Sequence, residues 1–98
     1  MSSIQQPAAW PEGVIARYLT VGGATVDLVD NRGSDRISAT CMGTLCGWKK
    51  DTFLEGMTDD TPEEKQYRFE RRLPWAQCDA QAHAERCRAM PKPEARNQ

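Results

Sequence analysis

Of 98 residues only 14 are Leu, Ile, Val or Phe. That is about 14 %, below the roughly 20 % at which chains begin to look disordered. The disordered class also needs a large net charge, and here 13 basic residues nearly cancel 14 acidic ones. A chain of this length forms a single domain and buries only about two thirds of the surface that its unfolded form exposes. Hydrophobic burial alone is thus a thin basis for a fold, and the sequence calls for an added staple. Four cysteines and a single histidine are the candidates.

No stretch approaches the roughly 20 apolar residues of a membrane span, and the start Met1-Ser-Ser-Ile-Gln-Gln-Pro7 lacks the basic and apolar regions of a secretory signal. The chain therefore reads as cytoplasmic. In a reducing compartment its cysteines are expected as thiols or metal ligands, with two disulfides as the alternative for an exported protein. The small net charge argues against a strong overall grip on nucleic acid.

Residues 1–12 show no periodicity around Pro7 and Pro11 and read as a flexible lead-in, with Trp10 as an anchor on the domain. Residues 13–91 form the domain, and 92–98 a disordered tail. Val14–Val21, Gly22-Gly23 and Ala24–Asp30 carry the signature of a β-hairpin. A two-residue turn would place Leu19 opposite Val26 and put Leu19, Val21, Val26 and Leu28 on one face. A third strand follows over Arg36–Cys41, with Ile37, Ala39 and Cys41 alternating, and a short fourth over Trp48–Phe53. Thr61-Pro62-Glu63-Glu64 is a helix start, with Thr61 as N-cap and Glu64 closing a capping box. Residues 62–73 read as helix, although Tyr67, Phe69 and Arg71 also alternate as in a strand. Pro74 interrupts or restarts that helix, and a second helical run extends from Trp75 to Met90, ended by Pro91. The expected fold is α+β: a small antiparallel meander of three or four strands followed by one or two helices.

Five potential ligands fall into two groups, Cys41 and Cys46 on the strand and turn, and Cys78, His83 and Cys87 on the last helix. Structural zinc takes four Cys or His ligands in a tetrahedron, commonly two from a turn and two from a helix face. His83 and Cys87 are four apart and share a face, in a stripe with Ala76, Ala80 and Met90. Cys78 lies on another face. Cys41, Cys46, His83 and Cys87 are therefore the predicted zinc ligands, with an all-cysteine set using Cys78 in place of His83 as a variant. Singly, each would be a buried small apolar residue or a solvated histidine. Together, two pairs at ligand spacing in a core-poor chain favour structural zinc over disulfides or free thiols. Four ligands close the shell, His83-Ala84-Glu85 lacks the P-C-x-x-C partner of a deaminase signature, and a Cys87–His83 nucleophilic pair lacks an orienting third group. The expectation is a non-enzymatic protein without a small-molecule substrate.

Arg68, Arg71 and Arg72 form a basic stripe if residues 62–73 are helical, and are the candidate nucleic-acid contacts. Interleaved Glu63, Glu64 and Glu70 support the alternative of a solvated, internally paired helix. Trp48 and Trp75 are expected in the core beside the metal.

The run Trp75-Ala-Gln-Cys-Asp-Ala-Gln-Ala-His-Ala-Glu-Arg-Cys-Arg-Ala-Met-Pro91, preceded by Ala39-Thr-Cys41 and the turn to Cys46-Gly47, resembles small zinc-finger-like proteins of actinobacterial integrative plasmids and phages. In those, a hairpin ending in a Cys pair is followed by a helix with a His-Ala-x-x-Cys-Arg-Ala-x-Pro signature. The resemblance spans residues 18–48 and 75–93. It implies that Cys41, Cys46, His83 and Cys87 hold metal and that the role lies in mobile-element transfer or maintenance. DNA or a protein of the transfer or regulatory machinery would be the partner, and a purely protein-binding adaptor using the outer sheet face or residues 54–73 is the second reading. The chain departs from those proteins in its C-x4-C spacing and its long segment 49–74.

Overall fold

The computed structural model describes residues 10–91, so most of the expected lead-in and all of the expected tail lie outside the described residues. Four strands, β1 (Val14–Leu19), β2 (Thr25–Asn31), β3 (Arg36–Cys41) and β4 (Lys49–Phe53), form an antiparallel sheet in the order β1-β2-β3-β4. A single helix, α1 (Pro62–Ala84), packs across one face of it, completing the α+β fold that the sequence predicts. Among the described residues no helix is long and apolar enough to cross a membrane.

The β1–β2 hairpin departs from the expected register. Leu19 pairs with Thr25 and Tyr18 with Val26, one residue away from a two-residue turn. The Thr20 amide donates to the Ala24 carbonyl at 2.9 Å, the Gly23 amide to the Thr20 carbonyl at 3.1 Å, and Gly23 has φ 94°. This is a three-residue loop, Val21-Gly22-Gly23, whose last position is left-handed. The Thr20 hydroxyl fixes the choice by accepting the Ala24 amide at 2.9 Å. A slip of one residue inverts a strand. Ala16, Tyr18 and Thr20 therefore face the helix, while Leu19 and Val21, expected inside, are exposed.

The other strands bury the expected residues: Val26 and Leu28 from β2, Ile37, Ala39 and Cys41 from β3. Thr52 and Leu54 continue the core beyond. Asp27 is also buried, on the opposite sheet face, where Arg17 across the strand pair donates to both carboxylate oxygens at 3.1 and 3.2 Å and Thr25 donates at 2.8 Å. Trp10 lies over the Arg17 guanidinium at 5.9 Å, a contact in keeping with the anchoring expected of it.

Helix α1 starts as the sequence dictates. The Thr61 hydroxyl accepts the Glu64 amide, and the Glu64 carboxylate accepts the Thr61 amide. It differs from expectation in two ways. Pro74 does not divide it, because the ring sits on the exposed face, where water can replace the bond lost at the Glu70 carbonyl. It also stops at Ala84 rather than Met90. The Arg86 and Cys87 amides both return to the His83 carbonyl, at 3.0 and 2.9 Å, and the chain then leaves the helix as an extended strap. Competing backbone bonds from the sheet loops capture the strap: Val21 to Ala84, Gly22 to Cys87 and Thr44 to Met90, at 3.2, 3.0 and 2.7 Å.

The buried stripe of α1 is Phe69, Ala76, Ala80 and Ala84, with Leu73 half-buried. Its alanines bring the helix close to the sheet and add little apolar volume, so among the described residues Leu28, Ile37 and Val26 alone are large side chains with essentially no exposure. Met90, expected on the same stripe, is exposed because the helix has ended before it. Trp75, expected in the core, is also exposed, since it precedes Ala76 and falls on the flank of the helix.

Candidate metal centre

At one end of the sheet, β3 ends in Cys41 and a tight turn leads to Cys46. The turn holds two residues in the left-handed region around Cys46, Leu45 at φ 63° and Gly47 at φ 70°, and the Cys46 amide reaches back to the Gly43 carbonyl at 3.3 Å. The end of α1 lies against this turn. His83 projects from its last turn and Cys87 from the first part of the strap.

The ligand atoms of Cys41, Cys46, His83 and Cys87 all lie within 4.8 Å of one another. Cys41 Sγ is 3.7 Å from Cys87 Sγ, Cys46 Sγ is 3.8 Å from Cys87 Sγ, and Cys46 Sγ is 3.4 Å from His83 Nε2. With Zn–S near 2.3 Å and Zn–N near 2.0–2.1 Å, a tetrahedron has S···S edges of about 3.8 Å and S···N edges of about 3.6 Å. These three separations match those edges, so the donor set fits one tetrahedral ion. None of these sulfur pairs approaches the roughly 2.05 Å of a disulfide, and all four cysteines are free thiols. Cys78 is exposed and outside the cluster, as its face on the helix requires.

The surroundings orient these donors. The Gly43 amide donates to Cys41 Sγ at 3.4 Å. Trp48 stacks on the His83 imidazole, with ring centroids 4.4 Å apart and planes 8° from parallel, fixing the ring with Nε2 toward the thiols. Trp48 thus packs against the core beside the ligand cluster, as expected, whereas nothing in spacing or periodicity identifies the Gly43 contact.

Burial, the dominant cause, and the neighbouring thiols push the Cys41 thiol up to about 11, while the Trp48 amide holds Cys46 below its ordinary value. Burial, with a smaller push from Arg86, lowers His83 and keeps its imidazole neutral and able to donate a lone pair. Three thiols at these distances cannot all ionise unaided, because each thiolate opposes the next. A divalent cation at the centre removes that opposition, which is the electrostatic condition for a closed thiolate-imidazole shell.

Two tight approaches hold the strap in place. A Cβ on Gly22 would meet the carbonyl oxygens of Arg88 and Ala89, and one on Gly43 would lie 2.6 Å from the Ala89 Cβ. The absent side chains at these two positions let the segment carrying Cys87 press onto both loops.

The candidate nucleic-acid residues lie toward the other end of α1. Arg68 donates to Asp60 at 2.7 Å, and Arg72 to Glu55 at 3.0 Å while lying 4.8 Å from the Trp75 ring centroid. Arg71 donates to the Tyr67 hydroxyl at 3.1 Å and has no carboxylate partner among the described residues. The stripe is thus largely neutralised by groups from the β4–α1 connection, which helical spacing alone does not reveal. Comparison with protein-family models, curated proteins and solved structures found no match.

Proposed function

We propose that Cys41, Cys46, His83 and Cys87 hold one structural zinc ion, and that the protein is a non-enzymatic binding module whose fold depends on that ion. The observation carrying this reading is the match of three donor separations, 3.7, 3.8 and 3.4 Å, to the edges of a zinc tetrahedron. A Cys3His set is soft and four-coordinate, which favours zinc over harder divalent ions. When bound, the ion supplies cross-linking rather than Lewis-acid chemistry, because four protein ligands fill the shell and leave no position for a reacting water. The cross-link joins the end of β3, a strand paired on both sides, to the end of α1.

Between the two partner classes, the paired state of Arg68 and Arg72 supports a protein partner over DNA. Within that stripe Arg71 is left without a carboxylate partner, and one such arginine gives the stripe little counterion release and a shallow salt dependence. The sequence resemblance supplies the biological setting, an accessory of a mobile genetic element. Native mass spectrometry of protein purified without chelator tests the metal: the expected mass is that of the chain plus one zinc, lost in Cys87→Ser. A metal-free chain, or a different metal in the same ligands, would overturn the assignment. Tight binding of duplex DNA that disappears in an Arg68→Gln, Arg71→Gln, Arg72→Gln triple variant would reverse the choice of partner.

A further inference from the structure

Strand β4 is an open sheet edge, with no neighbour beyond it among the described residues. The direction of its free hydrogen-bonding groups follows from the register. The Cys41 amide donates to the Trp48 carbonyl at 2.9 Å, so this pair is a hydrogen-bonded one, and by alternation Ala39–Lys50 and Ile37–Thr52 are too. The main-chain groups of Lys49, Asp51 and Phe53 therefore point away from the sheet. The other edge differs: β1 carries an irregularity between Val14 and Ala16, the kind of bulge that blunts an edge, whereas the β3–β4 register is unbroken.

Beside the open edge, between β4 and α1, runs a trough of about 260 Å³ lined by Lys50, Thr52, Glu55, Arg72, Trp75 and Asp79. Trp75 is 59 % exposed, and Phe53 on the outer sheet face is 52 % exposed. Trp and Arg are the residue types that most often dominate binding energy at interfaces. Charge within the trough is already balanced, Lys50 by Asp79 at 3.2 Å and Arg72 by Glu55. Lys49, exposed at the end of the strand, has no carboxylate partner among the described residues.

We infer that the β4 edge, with the Trp75 trough beside it, receives an extended peptide segment of a partner protein as a fifth strand. This rests on the binding-module reading above and names the partner's chemistry. The segment bonds through its main chain to Lys49, Asp51 and Phe53. One side chain on the helix side is apolar and lies against Trp75, and one on the outer side is acidic and faces Lys49. A second copy of this chain does not meet these terms. Antiparallel pairing of β4 with itself over its full length sets Asp51 opposite Asp51, and a shift either way leaves only three paired residues. The balanced trough is equally ill-suited to a nucleic-acid strand, whose affinity comes from unpaired cations.

The test is selection of phage-displayed random dodecapeptides on the zinc-loaded full chain, with metal content checked on the same preparation so that loss of the metal and loss of this surface are scored separately. Enriched peptides should share one apolar and one acidic residue at positions that fall on opposite faces of an extended strand. On titration of a selected peptide, the amide signals of Lys49, Asp51 and Phe53 should shift and gain exchange protection. Trp75→Ala and Asp51→Pro should each weaken its binding about tenfold or more. Asp51→Pro removes an outward amide, and proline is tolerated where an edge N–H faces solvent. Asp51→Asn keeps the amide and should bind nearly as wild type. No enrichment on zinc-loaded, folded protein, peptides that perturb a different surface, unchanged binding in Asp51→Pro, or tight binding of oligo-dT instead would each overturn the proposal.

Discussion

Replacing Gly22 with alanine perturbs the metal centre without touching a ligand. The added Cβ would meet the carbonyl oxygens of Arg88 and Ala89 and lie 2.5 Å from the Arg88 carbonyl carbon. Carbon atoms pack at about 3.5–4.0 Å, so the strap must move by about 1 Å. The obstacle is backbone, which cannot swing aside as a side chain does. Moving it costs about 1–3 kcal/mol as overpacking. It also stretches the bond from the Gly22 amide to the Cys87 carbonyl, 3.0 Å long, for another 0.5–1.5 kcal/mol or so. The expected loss is about 2–4 kcal/mol, or roughly 10–30 °C in Tm for a domain of this size. Gly33→Ala is the matched control: nothing lies within 4 Å of its Cβ position and its φ is not left-handed. That change should alter stability by at most about 1 kcal/mol, in the stabilising direction. The assay is thermal unfolding of both variants with saturating zinc, together with zinc affinity by chelator competition. Gly22→Ala should melt far below Gly33→Ala and bind zinc more weakly, since the displaced strap carries Cys87. Melting temperatures within a few degrees of each other would refute the close approach of strap and hairpin loop.

Leu45 is 99 % exposed at φ 63°, so Leu45→Gly relieves about 1–2 kcal/mol of left-handed strain, loses no burial, and adds about 0.5–1 kcal/mol of chain entropy cost. The net expectation is a rise in stability of up to about 1 kcal/mol by denaturant titration, and a clear loss would show that the Leu45 side chain has a packing partner. Arg17→Met leaves the buried Asp27 carboxylate with Thr25 as its remaining side-chain donor, and should destabilise by about 1–3 kcal/mol, below the range for a fully buried pair because Arg17 is partly exposed. An unchanged denaturation midpoint would mean that water replaces the guanidinium. Zinc affinity should rise with pH across the neutral range. Burial raises the Cys41 thiol in the folded arrangement, and a cysteine in an unfolded chain titrates at about 8.5, so across the neutral range binding displaces its proton in either state, which contributes close to tenfold per pH unit. A pH-independent affinity in a competition assay would contradict thiolate ligation.

The helix start and the strand β3 were readable because each rests on local chemistry. Thr61, Pro62 and Glu64 satisfy one another within a single turn, and Ile37, Ala39 and Cys41 alternate without interruption. The four clustered thiol and imidazole groups were readable for the same reason, as two short-range pairs, although the reason for Cys87 facing the site differs from its helical spacing. The hairpin register was not readable, because Gly22-Gly23 suits both a two- and a three-residue loop, and the Thr20 hydroxyl decides between them. The end of α1 was hidden as well. Residues 85–90 contain neither Gly nor Pro and have no local reason to leave the helix, and they do so because amides of Val21, Gly22 and Thr44 compete for the carbonyls of the last turn and strap. Trp75 was misplaced because a scarcity of large apolar residues suggested that every tryptophan must be interior. Alanine at 76, 80 and 84 meets the sheet instead and leaves Trp75 on the helix flank.

The central claim is that the metal clamp, rather than the apolar core, holds the end of α1 on the sheet. It is tested most directly by removing the metal from the intact chain and following far-ultraviolet circular dichroism and Tm. Structural zinc in small domains is worth about 10–16 kcal/mol, more than a core with three fully buried large side chains, Leu28, Ile37 and Val26, is expected to supply alone. Excess chelator should therefore unfold the protein cooperatively, and stoichiometric zinc should restore the spectrum. A metal-free chain that keeps its spectrum and melts at the same temperature as the zinc-loaded one would contradict the account.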